Sequence, residues 1–70
     1  MADSDLQALL DPTGNGTGIM LERRVDVDTK SQYYCVPVVS PYAGHARWVE
    51  VTTSDTDAQK NTAIRAALAP

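Results

Sequence analysis

The chain has 70 residues, a single cysteine and a net charge of −3 at neutral pH. A chain of this length forms one domain with a marginal core, and a lone cysteine excludes an intrachain disulfide and a cysteine-based zinc site. Residues 1–28 carry six acidic and two basic residues (−4), whereas residues 29–70 carry three acidic and four basic residues (+1). This distribution argues against direct binding of nucleic acid, because the phosphate backbone attracts basic surfaces.

The N-terminal residues lack the basic start and the long apolar run of a secretory signal peptide. The chain also contains no run of about 20 apolar residues, which a membrane-spanning helix requires. We therefore expect a cytoplasmic protein, or a virion protein if the source is viral, with no membrane as a partner.

The first predicted element is a short helix over residues 4–11. Ser4 and Gln7 have the spacing of a capping box, and Pro12 disfavours helical geometry in the residue before it. One stripe of this helix consists of three leucines, Leu6, Leu9 and Leu10. Because two turns of helix are unstable alone in water, these leucines must dock on the same domain or on a neighbouring molecule.

Three of the four glycines lie in residues 12–18. The stretch follows a helix and precedes a strand, the reverse of a dinucleotide-binding loop, and no Gly-Lys-Ser/Thr of a phosphate loop follows. Asn15 begins a glycosylation sequon, which matters only in a secreted protein. The pattern predicts a flexible or specially turned hinge, with residues 1–18 as an N-terminal arm and residues 19–70 as a small domain.

Three strands are predicted next, over residues 19–28, 32–39 and 46–53. The first alternates between apolar and polar residues, as a half-buried strand does, and the second is apolar on both parities. Residues 29–31 are predicted as the loop between them. Pro37 lacks a backbone N–H and therefore indicates an edge or a bulge.

The last predicted element is an alanine-rich helix over residues 58–69, with Ser54 as its N-cap. Its apolar stripe is predicted to consist of Ile64, Ala67 and Leu68. Together these elements predict an α+β fold: a three-stranded antiparallel meander with a C-terminal helix, preceded by the short helix on its glycine-rich tether.

A register of the strands assigns side chains to two faces. Folding the first strand onto the second around residues 29–31 pairs Val27 with Tyr33, Val25 with Cys35, and Leu21 with Val39. If the third strand places Val51 opposite Cys35 and Val49 opposite Pro37, Ile64 and Leu68 can cover this face.

The other face then carries a large apolar surface, formed by Tyr34, Val36, Val38 and Trp48 beside Met20 and Glu50. Large apolar patches and exposed tryptophan are typical of interfaces. A one-residue slip in register, or a bulge at Pro37, would instead place Trp48 in the core. The predicted interface comprises Leu6, Leu9, Leu10, Tyr34, Val36, Val38 and Trp48.

Candidate chemical sites are few. Cys35 and His45 do not form a recognisable nucleophile and base, and a buried structural cysteine is the expected alternative. Residues 26–30 begin like a calcium loop but lack its glycine and its closing glutamate. The carboxylates of Glu22, Asp26 and Asp28 instead predict an acidic contact face. We expect no catalytic, cofactor-binding or metal-binding residues.

The sequence thus predicts a non-enzymatic structural subunit that binds a protein partner or further copies of itself in a larger assembly. A small virion protein of the phage type, such as a capsid decoration or connector component, fits the size and the arm. The alternative is a small acidic regulator or inhibitor that blocks a larger protein, for example by mimicking nucleic acid, because the first 28 residues are strongly acidic.

Overall fold

The computed structural model describes residues 2–38, 42 and 44–69, which form two helices and one antiparallel sheet with strand order β1-β2-β3. The elements are α1 (Ala2–Leu10), β1 (Ile19–Val27), β2 (Lys30–Pro37), β3 (Arg47–Thr52) and α2 (Asp57–Leu68). The predicted α+β meander with its two helices is confirmed. Val39, the last residue of the second predicted strand, lies outside the described residues.

The helix α1 begins at Ala2, so Ser4 lies inside the helix and the predicted capping box is wrong. The side chain of Gln7 is used elsewhere, since its amide donates to the carbonyl of Ile19 (2.9 Å) and accepts from the N–H of Leu21 (2.8 Å). Gln7 therefore fastens α1 to β1. The helix ends at Leu10, just before the Asp-Pro pair, as predicted.

The glycine-rich segment after α1 is organised by the carboxylate of Asp11. Asp11 is buried and accepts hydrogen bonds from the backbone N–H of Gly16 (2.9 Å) and of Gly18 (3.1 Å). Gly14 and Gly16 both have φ near +70 to +80°, the left-handed region that favours glycine. Gly18 is required for close packing, because a Cβ there would lie only 2.3 Å from the carbonyl oxygen of Leu10. The segment is thus a specially turned connector.

The turn between β1 and β2 is tighter than predicted. Residues 28 and 29 form it alone, and Asp28 has a φ of 60°, as two-residue hairpin turns require. The observed cross-strand pairs include Val27 with Lys30 and Val25 with Gln32. The predicted partners of these valines, Tyr33 and Cys35, lie three residues further along β2, so the predicted register of β1 is wrong.

A β-bulge at Glu22 decides which side chains of β1 face the core. The pairing register with β2 shifts there, and side chains beyond such an insertion change faces. Ile19 is buried and Leu21 packs against the core, whereas Val25 and Val27 lie on the other side of the sheet and are exposed. The expected position of a bulge, Pro37, instead ends β2.

Both helices pack on one side of the sheet, which we call the covered face. The core on this side consists of Leu6, Leu10, Ile19, Tyr33, Cys35, Val49, Val51, Ile64 and Leu68. The predicted face of alternating β2 and β3 residues beneath α2 is therefore confirmed. Within it, β3 pairs Val51 with Ser31 and Val49 with Tyr33, which corrects the predicted pairing with Cys35 and Pro37.

The helix α2 begins after Thr56, which forms a capping box with Gln59, so the predicted N-cap Ser54 is wrong. Thr53 and Asp55 bond back to the preceding hairpin and strand, which keeps the chain non-helical until Thr56. The buried stripe of α2 contains Ile64 and Leu68, as predicted, together with Lys60. Ala67, predicted for this stripe, is exposed.

Candidate interaction surface

The side of the sheet opposite the helices, which we call the open face, has no covering element among the described residues. Successive side chains of a strand point to opposite faces, so the neighbours of the buried residues in β2 and β3 lie on the open face. In β1, the bulge places Arg23, Val25 and Val27 on this face as well. The open face comprises Met20, Arg23, Val25, Val27, Lys30, Gln32, Tyr34, Val36, Trp48, Glu50 and Thr52. Val38 continues it one residue beyond β2, because its N–H donates to the carbonyl of Gly18 (3.0 Å) and its parity is that of Val36.

Apolar groups dominate the exposed part of this surface. Five large hydrophobic side chains of the described chain are exposed, and four of them lie on the open face: Val25 (46%), Val27 (54%), Val38 (48%) and Trp48 (45%). Trp48 is therefore not a core residue, which decides between the two positions that the sequence left open. Exposed apolar side chains gathered on one face of a sheet are typical of interaction sites.

A row of three side chains crosses the centre of the open face. Arg23, Tyr34 and Trp48 are direct neighbours on the three strands and line a depression of about 330 Å³. The rings of Tyr34 and Trp48 lie 5.3 Å apart with their planes tilted by 53°, a favourable aromatic geometry. Tyrosine, tryptophan and arginine are the residues most enriched at the energetic centres of protein interfaces.

The polar groups of the open face differ in how far they are already engaged. The ammonium of Lys30 donates to the hydroxyl of Thr52 (3.1 Å), and the amide of Gln32 donates to the carboxylate of Glu50 (3.3 Å). The side chain of Arg23 forms no hydrogen bond or ion pair within the described part of the chain. Its guanidinium is therefore available to a partner's carboxylate or aromatic ring.

The neighbouring Arg24 lies on the other side of β1, where its guanidinium is already ion-paired within the protein. Arg24 binds the carboxylates of Asp3 (2.6 Å) and Asp26 (2.8 Å), and its guanidinium lies 5.5 Å from the centre of the Tyr33 ring. The hydroxyl of Tyr33 donates to the same oxygen of Asp3 (3.0 Å). This network ties the start of α1 to β1 and β2.

The pKa values of the network follow from these contacts. The hydrogen bonds that Arg24 donates to Asp26 and Asp3 raise the pKa of Arg24 above its ordinary value, and the bond from Arg24 lowers the pKa of Asp26. Burial, and then the bond to Asp3, raise the pKa of the Tyr33 phenol to about 12. The charges are held in fixed pairs, as expected of a structural contact.

The acidic residues predicted as a contact face occupy different surroundings. Asp26 is paired with Arg24, and Asp28 lies in the hairpin turn. Glu22 is exposed at the bulge and lines a depression of about 340 Å³ between α1 and β1, together with Arg23 and Arg24. The three carboxylates therefore do not form one uniform acidic patch.

The three leucines predicted for the interface divide between core and surface. Leu6 and Leu10 are fully buried beside Ile64 and Leu68, so the short helix docks on its own chain. Leu9 is 41% exposed on the outer side of α1. The helix therefore does not reach the open face, where the sequence left room for it.

The side chains that could take part in catalysis or metal binding lie apart from one another. Cys35 is buried, its thiol donates to the carbonyl of Tyr33 (3.5 Å), and burial raises the pKa of the thiol to about 11. His45 is exposed. Among the described residues no three histidine, cysteine or acidic side chains are placed to share a metal ion.

Three important residues were missed by sequence reasoning: Gln7, Asp11 and Arg23. The Asp-Pro pair before a glycine-rich stretch is a recognisable turn signal for Asp11. Gln7 and Arg23 leave no such signal, because their roles depend on the docking angle of α1 and on the bulge.

Comparison with protein-family models, curated proteins and solved structures finds no match to this chain. Neither of the described helices is long and apolar enough to cross a membrane.

Proposed function

We propose that the protein is a non-enzymatic subunit that binds other proteins of a larger assembly through its open face. The observation that carries this proposal is the location of Val25, Val27, Val38 and Trp48, four exposed apolar side chains on one side of a small sheet. Exposed apolar surface weakens the solubility of a monomer, so a partner that covers it explains its presence.

The centre of the open face supplies the residues of a protein contact. Tyr34 and Trp48 present a rigid aromatic pair, and Arg23 adds an unengaged cation beside it. Val25 of β1 lies beside this row on the hairpin side, and Met20 and Val36 lie on its other side. Apolar side chains next to such anchors help to exclude water from them.

A virion component of the phage type, such as a capsid decoration or connector protein, is the narrower form of this proposal. It is supported by the chain length of 70 residues and by the small two-layer architecture. The identity of the assembly remains a prediction from these two features.

The rival hypothesis, an acidic inhibitor, rests on Glu22, Asp26 and Asp28. It receives less support, because Asp26 is neutralised by Arg24 at 2.8 Å while the open face has no partner within the described chain. The rival predicts binding that weakens steeply with salt and is lost in the Asp26→Asn, Asp28→Asn double variant.

Site-specific photocrosslinking in the source cells tests the proposal. A photoreactive amino acid at Val25 and, separately, at Val27 should give adducts with the same polypeptide. The control position is Ala58, which is exposed on α2, on the other side of the molecule. Equal adduct yields from Ala58, or none from either valine in the assembled state, would refute the open face as the binding surface.

A further inference from the structure

The two outer strands of the sheet differ in whether the outward backbone N–H and C=O groups along their free edges are hydrogen-bonded. Along β1, the side-chain amide of Gln7 bonds the carbonyl of Ile19 and the N–H of Leu21 as a neighbouring strand would. The bulge at Glu22 then interrupts the ladder, and bulges and charges are features that prevent further strand pairing. The start of the β1 edge is therefore occupied, and the bulge and the charged residues Arg24 and Asp26 disfavour pairing along the rest of it.

The edge of β3 is open. The N–H of Thr53 donates to the carbonyl of Thr29 (2.9 Å), so odd-numbered residues of β3 direct their backbone groups toward β2. In an antiparallel ladder these positions alternate with outward ones, which places the N–H and C=O of Trp48 and Glu50 on the outer side. No described residue bonds these outward groups.

The helix above this edge also presents a surface suited to close approach. α2 packs against β3, and on its other flank Arg65 donates to the carbonyl of Leu9 in α1 (2.9 Å). Ala63 and Ala67 lie about 200° around the helix from Arg65, so they face away from α1 and past the β3 edge. Both alanines are exposed, and small side chains allow helices to pack closely.

We propose that a second copy of this chain binds at the β3 edge, so that the two β3 strands pair antiparallel about a two-fold axis and the two α2 helices meet through Ala63 and Ala67. The result is a continuous six-stranded sheet. This inference goes beyond the proposed function, because the contact uses the edge of the sheet and leaves the open face free.

The β3 edge and the flank of α2 are self-complementary, since a second copy presents a strand and a helix at the same spacing. When the axis passes at Val49, the outward groups of Trp48 in each copy bond those of Glu50 in the other. A register centred on Glu50 would oppose two carboxylates, which is unfavourable. Because both copies use the same β3 edge about a two-fold axis, the contact is closed at two chains.

Sedimentation velocity of the full chain over a wide concentration range tests the proposal directly. The molar mass should rise from the 7.6 kDa of one chain to twice that value. Amide exchange of Trp48 and Glu50 should slow over the same range, because the dimer protects both N–H groups. A mass of one chain at every concentration, up to millimolar, would overturn the proposal without any variant.

Two pairs of variants locate the contact. Glu50→Pro removes an outward N–H without removing a backbone bond to β2 and should abolish the dimer. Glu50→Thr loses the same side-chain bond to Gln32 but retains the N–H, so it should still dimerise. Ala63→Glu places a charge on the helix flank and should also abolish it, whereas Ala58→Glu should not. If Glu50→Pro and Ala63→Glu both remain dimeric, the proposal is wrong.

The open face is tested separately by Val25→Lys, on the strand furthest from β3. This variant should dimerise like the parent protein while losing the crosslinks to other proteins. Loss of the dimer alone in Glu50→Pro and loss of the crosslinks alone in Val25→Lys therefore distinguish a failure of this inference from a failure of the proposed function.

Discussion

The two faces of the sheet are built from the same three strands, but one is buried beneath the helices and the other is exposed to solvent. On the covered face, residues of α1, α2, β2 and β3 form one buried cluster. On the open face, valines and an aromatic pair remain in contact with solvent. Burial explains why the covered residues are apolar, whereas folding gives no reason for the open ones to be so. The difference assigns folding to the covered face and is the basis for proposing that the open face binds a partner.

The bulge at Glu22 creates this division in β1. Without it, Val25 and Val27 would share the face of Ile19 and Leu21. With it, the charged Arg24 moves to the rim of the covered face, where Asp3 and Asp26 pair with it. As a result, Val25 and Val27 lie outside the core, and the ion pair between Arg24 and Asp3 connects β1 to α1.

The largest expected effect is on the covered face. Leu6→Ala should lower the free energy of unfolding by about 2–5 kcal/mol, because a fully buried leucine is removed and a cavity remains. Leu9→Ala on the same helix is the matched control and should lower it by less than about 1 kcal/mol, since Leu9 is largely exposed. Urea denaturation followed by circular dichroism measures both, and equal losses would contradict the assignment of α1 to the core.

An intermediate effect is expected at Asp11, which holds the connector that positions α1. Asp11→Ala should cost about 1–3 kcal/mol, because the buried N–H of Gly18 loses its acceptor. Asp11→Asn retains one acceptor oxygen and should lose less stability than the alanine variant. The same denaturation assay applies, and unchanged stability in Asp11→Ala would show that the connector does not depend on this carboxylate.

A smaller effect is expected from pH, through Tyr33 at the rim of the covered face. The folded pKa of Tyr33, about 12, lies above the ordinary value of 10. The stabilisation of the folded state by the protonated phenol is therefore complete below pH 10 and is lost as the pH rises toward 12. Cys35, with a folded pKa raised from 9 to about 11, acts in the same direction.

Tyr33→Phe isolates the tyrosine contribution. The free energy of unfolding of the parent protein should fall between pH 10 and 12 more steeply than that of the variant. Denaturation at a series of pH values measures both slopes. Parallel slopes would mean that the phenol is not held in its protonated form by the fold.

The sequence was sufficient to predict the elements and most of the core. Alternation in residues 46–53 and apolar spacing in α2 determine which side chains of β3 and α2 are buried, and such patterns are local. Val49, Val51, Ile64 and Leu68 were therefore placed correctly. The same alternation allowed an open position for Trp48 but left a core position possible as well, and the 45% exposure of Trp48 decides between them.

The pairing of β1 was not predictable in the same way. A bulge at Glu22 leaves no residue signature there, and the two-residue turn depends on Asp28 adopting a positive φ. Each changes the register by whole residues, so both valines of β1 were assigned to the wrong face. The N-terminal caps of both helices were predicted wrongly for a related reason. Ser4 near α1, and Ser54 and Thr56 near α2, all have side chains that can cap a helix, and tertiary contacts decide where each helix begins.

The most direct test of the division between the faces compares two identical double substitutions. Val49→Ala with Val51→Ala should lower the free energy of unfolding by about 3 kcal/mol or more, because both side chains are buried on the covered face. Val25→Ala with Val27→Ala should lower it by less than about 1 kcal/mol, since both are about half exposed on the open face. Equal losses in the two pairs would place Val25 and Val27 in the core and contradict the account.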